Sequence, residues 1–471
     1  MQNVALNNTI VPPVLHQDDG LNEIFSGPLK APKPHHFPES APRSRTYQVK
    51  AQGLELDVLR HSAADHTSFE FDGQVKVEIE LPEVPKNVLV RPLSRGIKAQ
   101  IIGCRVCFTL AAPQNLQIEI EGHPLLYIYA LPYANDPPTG PHVRRFEGGK
   151  IHEAGQVTLS DGEVCWIEAG AILRGSIRAD HAKGVGIGGY GILDGGYWME
   201  HGIKRRRKAI VLDHCTDARV DDILMLSPCH WMLVLGACER VTVDGVRQIA
   251  DDVSSDGIDI AGSKQVRISG CCLHNGDDNI AIKAIHNKSG EDERVALGYP
   301  NEDWKGTVED VVVSGCTFYN TLGGSSMEIG YETSTEHIRN ILFENCDVLG
   351  VHEFGSVFGI HNGDRACVEN VLWDEIRVEH HFDSLVDIRV LKSRWNVDSA
   401  RGHIRNITLR NIRVIKSIHN EGYTVSIISG YDADHPVIGI CLENFYLGGR
   451  KITNADELDL VTRHAHDITF W

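Results

Sequence analysis

The sequence predicts an all-β protein in which a stacked β-solenoid follows a small N-terminal β-sandwich. Three observations carry that prediction. Five segments repeat one apolar pattern at intervals of 30 to 36 residues. The 471-residue chain is rich in turn formers, with Gly 45 and Pro 19. Its first third holds short runs with the period-2 alternation of half-buried strands. Length alone would suggest two or three domains, but repeated units form one continuous stack because none of them can bury its apolar side alone.

Residues 1–45 are rich in Pro, His and Asn with little periodicity, and are expected to form an irregular arm. Residues 46–135 form the expected sandwich. The run from Val75 to Leu81 alternates apolar and charged residues without a break, which fits a strand with one face in a core and one in water. Comparable runs at Asn87 to Leu93, Cys104 to Leu110, Leu116 to Ile120 and Leu125 to Ala130 are separated by turn residues, as in a sandwich. A linker from Pro132 to Pro141 closes this unit, and residues 136–471 are assigned to the solenoid.

The repeat reads apolar-x-x-apolar-x-apolar-x-Asn/Gly/Glu and begins at Val308, Ile338, Val368, Ile404 and Val437. The residue after its eighth position is Cys316, Cys346, Ile376, Ile412 or Phe445, with Cys271 at the matching place upstream. An inward apolar ladder explains these cysteines, since free Cys is among the most buried residue types. Cys104 and Cys107 lie three apart in a strand-like run and so face opposite sides, which argues against a metal or redox pair.

The formal charge of −18 argues against a nucleic-acid partner, which needs a phosphate-neutralising surface. It also means that an acidic sugar would need a local basic pocket. No secretory signal and no run of about 18 apolar residues is present, so the chain is expected to be cytoplasmic, with secretion as the alternative, and to have no membrane partner. A homo-oligomer remains open. The run Lys204 to Lys208 is read as a solvated loop or a cleft rim.

The chemistry is expected at Asp256, Asp277 and Asp278. An offset of 21 residues separates Asp256 from Asp277. If that is one coil, these acids meet about 4.8 Å apart along the stack, the spacing of neighbouring strands. Clustered carboxylates repel, so one gains proton affinity while another stays ionised, as an acid/base pair requires. Adjacent Asp277 and Asp278 would point to opposite faces of an ideal strand, so a bulge or strand end must turn both outward. With lateral offset, the carboxyls could reach the separation of about 6.5 to 9.5 Å that inverting glycosidases use. The alternative is that these acids cap turns or hold a structural cation.

The segments Gly186 to Gly196, Leu226 to Trp231, Ser255-Asp256-Gly257-Ile258-Asp259 and Gly276-Asp277-Asp278-Asn279-Ile280-Ala281-Ile282-Lys283 resemble those of polygalacturonase-type glycoside hydrolases of family 28. The stretch Glu168 to Gly175 and the segment Met327 to Tyr331 are similar to the dextranase-like branch, family 49, of the same clan. The resemblance spans roughly residues 145–445 and implies a right-handed parallel β-helix and an inverting glycoside hydrolase without a metal or other cofactor. It makes Asp277 the general acid, with Asp256 and Asp278 holding and deprotonating the water. Two departures bear on substrate. Ser325 stands where polygalacturonases carry a histidine, and the coil Gly355 to His361 lacks their Arg-Ile-Lys pair.

The expected substrate is therefore a neutral α-glucan, attacked from its end as an oligosaccharide. Pectin-type hydrolysis, a β-helix lyase or epimerase, and a non-catalytic carbohydrate-binding protein are the alternatives. Arg389 and Lys392 could form a replacement anion site. Glu328 is a further acid or a sugar-hydroxyl acceptor, Asp259 a supporting carboxylate, and Lys283 a subsite cation or a surface lysine. Trp231 is a candidate for sugar stacking, as are Trp198, Trp304 and Trp395. His361 is a substrate-binding candidate, and the spacing of His352, His361, His380 and His381 does not suggest a metal site. The insertion from about Ile285 to Lys305 is expected to wall one end of the groove.

Overall fold

A computed structural model describes residues 30–203, 207–286, 303–415 and 424–471. Most of the expected arm, part of the 204–208 run and most of the 285–305 insertion lie outside the described residues. The five repeat segments become strands Val308–Ser314, His337–Glu344, Cys367–Asp374, His403–Arg410 and Val437–Glu443. They pair in parallel, with Val308, Ile338, Val368, Ile404 and Val437 in one row. They belong to a 12-stranded sheet, and a 21-stranded sheet with a double set of pairings supplies the other faces of the solenoid. The chain is thus a right-handed parallel β-helix over most of its length.

The repeat pattern has a conformational cause. Its third position is Asp310, Asn340, Asn370, Asn406 or Gly439, and each has a positive φ, between 57° and 74°. The eighth position repeats the demand at Gly315, Asn345, Glu375, Asn411 and Asn444, with φ between 52° and 62°. Asn and Gly tolerate the left-handed region where other residues are strained. The side chains also stack from coil to coil: Asn340 donates to Asp310 at 3.0 Å, Asn370 to Asn340 at 3.3 Å and Asn406 to Asn370 at 3.4 Å. Inside, Cys271, Cys316, Cys346, Ile376, Ile412 and Phe445 share one apolar core. All twelve cysteines are free thiols.

Ahead of the helix, two five-stranded sheets enclose a second core that includes Val77, Ile79, Phe108, Ile118 and Ile128. Val75–Glu80 shows the expected alternation. Lys33–Pro34, in the stretch expected to be irregular, adds a short edge strand to Asp65–Glu70. Leu126–Leu131 is buried on both faces. One face joins the sandwich core, while Tyr127 and Tyr129 pack on Ile192, Leu224 and Ile249 of the helix. Glu379 fixes the same junction by accepting from the guanidinium of Arg91 and the backbone N–H of Leu93. Among the described residues, no helix is long and apolar enough to cross a membrane.

Candidate active site

One face of the helix carries the candidate acids. Its strands Ile258–Ala261, Ile280–Ala284, Met327–Thr333, Phe358–Asn362 and Val386–Val390 align Ile258, Ile280, Met327, Phe358 and Val386. The coil offset is therefore 22 residues, and Asp256 faces Asp278 rather than Asp277. Asp277 and Asp278 lie in the turn before Ile280–Ala284, outside the strand. Three buried amides anchor that turn from within. Asn275 donates to Gln248, Asn279 donates to Asn275, both at 2.9 Å, and Asn279 also reaches the Tyr319 carbonyl at 3.1 Å. With Asn275 and Asn279 held inward, the two acids between them face out.

Carboxylate oxygens of Asp256, Asp277 and Asp278 lie within 4.8 Å of one another. This is closer than the expected inverting separation, because stacking in register leaves little more than one strand spacing between neighbouring coils. Asp277 accepts from the backbone N–H of Ser254 at 3.0 Å and of Asp278 at 3.1 Å. Asp278 accepts from the Ser325 N–H at 2.6 Å. Gly324 makes this approach feasible: its φ is +70°, and a Cβ there would lie 2.4 Å from Asp277 Oδ1. Ser325 continues the row to Ser356, their hydroxyls 3.0 Å apart.

These positions separate the acids electrostatically. Burial, reinforced by the charge of Asp256, pushes Asp277 up to about 6, against the pull of Lys283 and two backbone N–H groups. Burial, together with Asp277, Asp256 and Glu328, raises Asp278 well above the carboxylate range. A carboxyl group still protonated near neutrality and aimed into a gap shared with other carboxylates is suited to donate a proton.

Lys283 is nearly buried. Its Nζ lies 2.8 Å from Asp256 Oδ2 and 2.8 Å from Asp259 Oδ1. Trp231 stands beside this group, with its ring 4.1 Å from Lys283 Nζ and 4.8 Å from Lys208 Nζ. Asp259 is fully buried, and desolvation drives its proton affinity up despite Lys283.

The remaining candidates form a second charged group two coils on. His361 Nδ1 lies 2.7 Å from Glu328 Oε1, and Nε2 lies 3.2 Å from Asp387 Oδ2. Arg389 grips both oxygens of Asp387, each at 2.6 Å, and the ring of Tyr331 stacks on His361 at 4.5 Å. Burial alone would lower His361, but Glu328 and Asp387 outweigh it and raise the imidazole to about 9. Asp387 is held low in turn, since His361 and Arg389 overcome its burial. Glu328 is seated against Gly359, where a Cβ would lie 2.2 Å from Glu328 Oε2.

Other expectations fare differently. Trp304 is no stacking platform: it is 1% exposed, and its indole N–H donates to Asp213 at 2.8 Å. Trp198 is covered by Arg207, whereas Trp395 is 47% exposed and Lys392 is exposed. Sequence reasoning missed Asp387 and Tyr331. Asp387 had a signal, since it lies two residues before Arg389 and so shares its face of the strand. Away from the groove, His337, Cys367 and Glu369 also bring ligand-type atoms within 4.8 Å, but Arg405 already binds Glu369 at 2.6 Å.

Residues 154–414 match the family model described as glycosyl hydrolases family 28. A probable polygalacturonase of Arabidopsis thaliana is 28% identical over 193 residues, covering 38% of this chain and 42% of the relative. A polygalacturonase of Chamaecyparis obtusa is 36% identical over 81 residues, covering 17% of this chain and 16% of the relative. The matches thus span less than half the length of these curated relatives. Among solved structures, Dex49A from Penicillium minioluteum superposes with a TM-score of 0.65 at 13% identity, covering 89% of this chain and 92% of that one. The polygalacturonase from Erwinia carotovora reaches 0.52 at 16% identity, over 69% and 89%. These likenesses share the parallel β-helix. The family match covers more than half of the chain, and the protein belongs to glycosyl hydrolases family 28.

Proposed function

We propose that the protein hydrolyses glycosidic bonds with inversion, Asp277 acting as the acid and Asp256 as the base, with Asp278 helping to hold the water. Asp277 gives its proton to the glycosidic oxygen as the bond from the anomeric carbon breaks and its electron pair passes to that oxygen. Water attacks the opposite side of the carbon and loses a proton to Asp256, and exchange with solvent resets both groups. The observation that carries this reading is the gap lined by three carboxylates, one of them raised to about 6. The short separation is compatible with a water held jointly by Asp256 and Asp278. It also favours a second reading, retention through direct attack by a carboxylate, since retaining enzymes keep their carboxyls about 5 to 5.5 Å apart. Proton NMR of the first-formed anomer decides between them.

For substrate, we infer a neutral sugar beside the second charged group, with exo action on an oligosaccharide. The two cations there, His361 and Arg389, each meet a carboxylate of the protein, so a sugar carboxylate would have to displace Glu328 or Asp387. Pectin remains the rival reading, favoured by the names of the curated relatives and by the exposed Lys392. The test is release of reducing ends from isomaltotriose, maltotriose and trigalacturonate. Turnover of trigalacturonate alone would overturn the neutral-sugar reading, and internal random cuts in a long polymer would overturn exo action.

A further inference from the structure

Lys283 was a candidate for gripping substrate, but its surroundings point to another task. The lysine belongs to the coil after Asp256, in register with Ala261, and its side chain reaches back to the earlier coil. There its Nζ lies 2.8 Å from both Asp256 and Asp259 but hydrogen-bonds Asp256, and the Trp231 ring covers a further side. The side chain is 5% exposed, so little of the ammonium is left for a ligand.

We propose that Lys283 is a positioning residue for the reaction: anchored by buried Asp259, it fixes the Asp256 carboxylate in the gap and places the negative charge of the three-acid cluster there. This rests on the reading of Asp256 as the base. Three acids within 4.8 Å cannot all ionise cheaply, so the location of the nearest cation decides which one carries the charge. Of the three, Asp256 is the one in hydrogen-bond contact with Lys283; Asp277 and Asp278 accept from backbone N–H groups instead. The raised proton affinities of Asp277 and Asp278 accord with that division. The other charges acting here are Glu332 and Asp278 on Lys283, Lys208 on Asp259, and Glu328 on Asp278. Asp259 takes no part in chemistry on this account and serves to hold the lysine in place.

The test compares Lys283→Met, Lys283→Arg and the double variant Asp259→Asn with Lys283→Met, which removes both members of the buried pair should Lys283→Met alone fail to fold. Rates are measured against pH on whichever of isomaltotriose, maltotriose or trigalacturonate the wild-type enzyme cleaves. The expected result is a hundredfold or greater fall in kcat with KM within about threefold, an acid limb of the kcat profile displaced to higher pH, and partial recovery in Lys283→Arg. A raised KM with kcat and pH profile unchanged would make Lys283 a substrate contact and overturn the proposal. So would unchanged kinetics throughout. Asp277→Asn, run alongside, tests the underlying reading separately: full activity there sinks the acid/base assignment, whatever Lys283 does.

Discussion

Asp277, raised by burial, and His361, raised by two carboxylates against its burial, both lose their stabilising effect as pH rises, over different pH windows. The Asp277 carboxyl rises from 3.8 to about 6 on folding, so its favourable contribution is complete below its unfolded value and is lost as pH climbs through about 6. Asp277→Asn is therefore expected to be more stable than wild type at pH 7.5, by about 1 to 2 kcal/mol, and to lose that advantage near pH 4. The same variant should lose activity by about two to four orders of magnitude, the usual worth of a positioned acid. Thermal melts at the two pH values and a reducing-end assay check both. His361, raised from 6.5 to about 9, stabilises fully below its unfolded value and ceases to do so as pH rises through about 9. Replacing it with Gln leaves the buried Glu328 without its cation, while Asp387 keeps Arg389, an expected cost of about 3 to 5 kcal/mol near neutrality. The deficit should narrow at pH 10, where the wild-type imidazole has shed its proton. An equal deficit at both pH values would mean that packing, not charge, holds the group together.

At the scale of the coil, the left-handed third position governs what the repeat accepts. Asn370→Val places a β-branched residue at φ 57° and should cost about 1 to 3 kcal/mol, while Asn370→Gly should be close to neutral. Urea unfolding of the two variants separates the backbone demand from the side-chain ladder, since glycine removes only the latter. The period was readable from sequence because every coil repeats the same apolar positions, and the left-handed residues account for the Asn and Gly that recur beside them. The meeting of Asp256, Asp277 and Asp278 was readable for the same reason. Their exact partners were not, because a turn of variable length precedes each strand, and one residue more or less in Asn275 to Asn279 decides whether Asp277 or Asp278 stands opposite Asp256. The group around His361 was half readable: His361 and Arg389 drew notice as cations, but their closure by Asp387 depends on coils 28 residues apart lying in register.

Across the whole molecule, the sandwich and helix meet through Tyr127, Tyr129 and the buried Glu379, which binds Arg91. Arg91→Ala leaves a nearly buried carboxylate with a single backbone donor, so calorimetry is expected to split the melt into two transitions as the sandwich loosens first. A single unshifted transition would show that apolar packing alone couples the two parts. A broader consequence follows from Gly359. Glu328 Oε2 lies 2.2 Å from where a Cβ at position 359 would begin, so a side chain there would push that carboxylate aside. A substituent at 359 would therefore be felt at His361, through the displaced carboxylate.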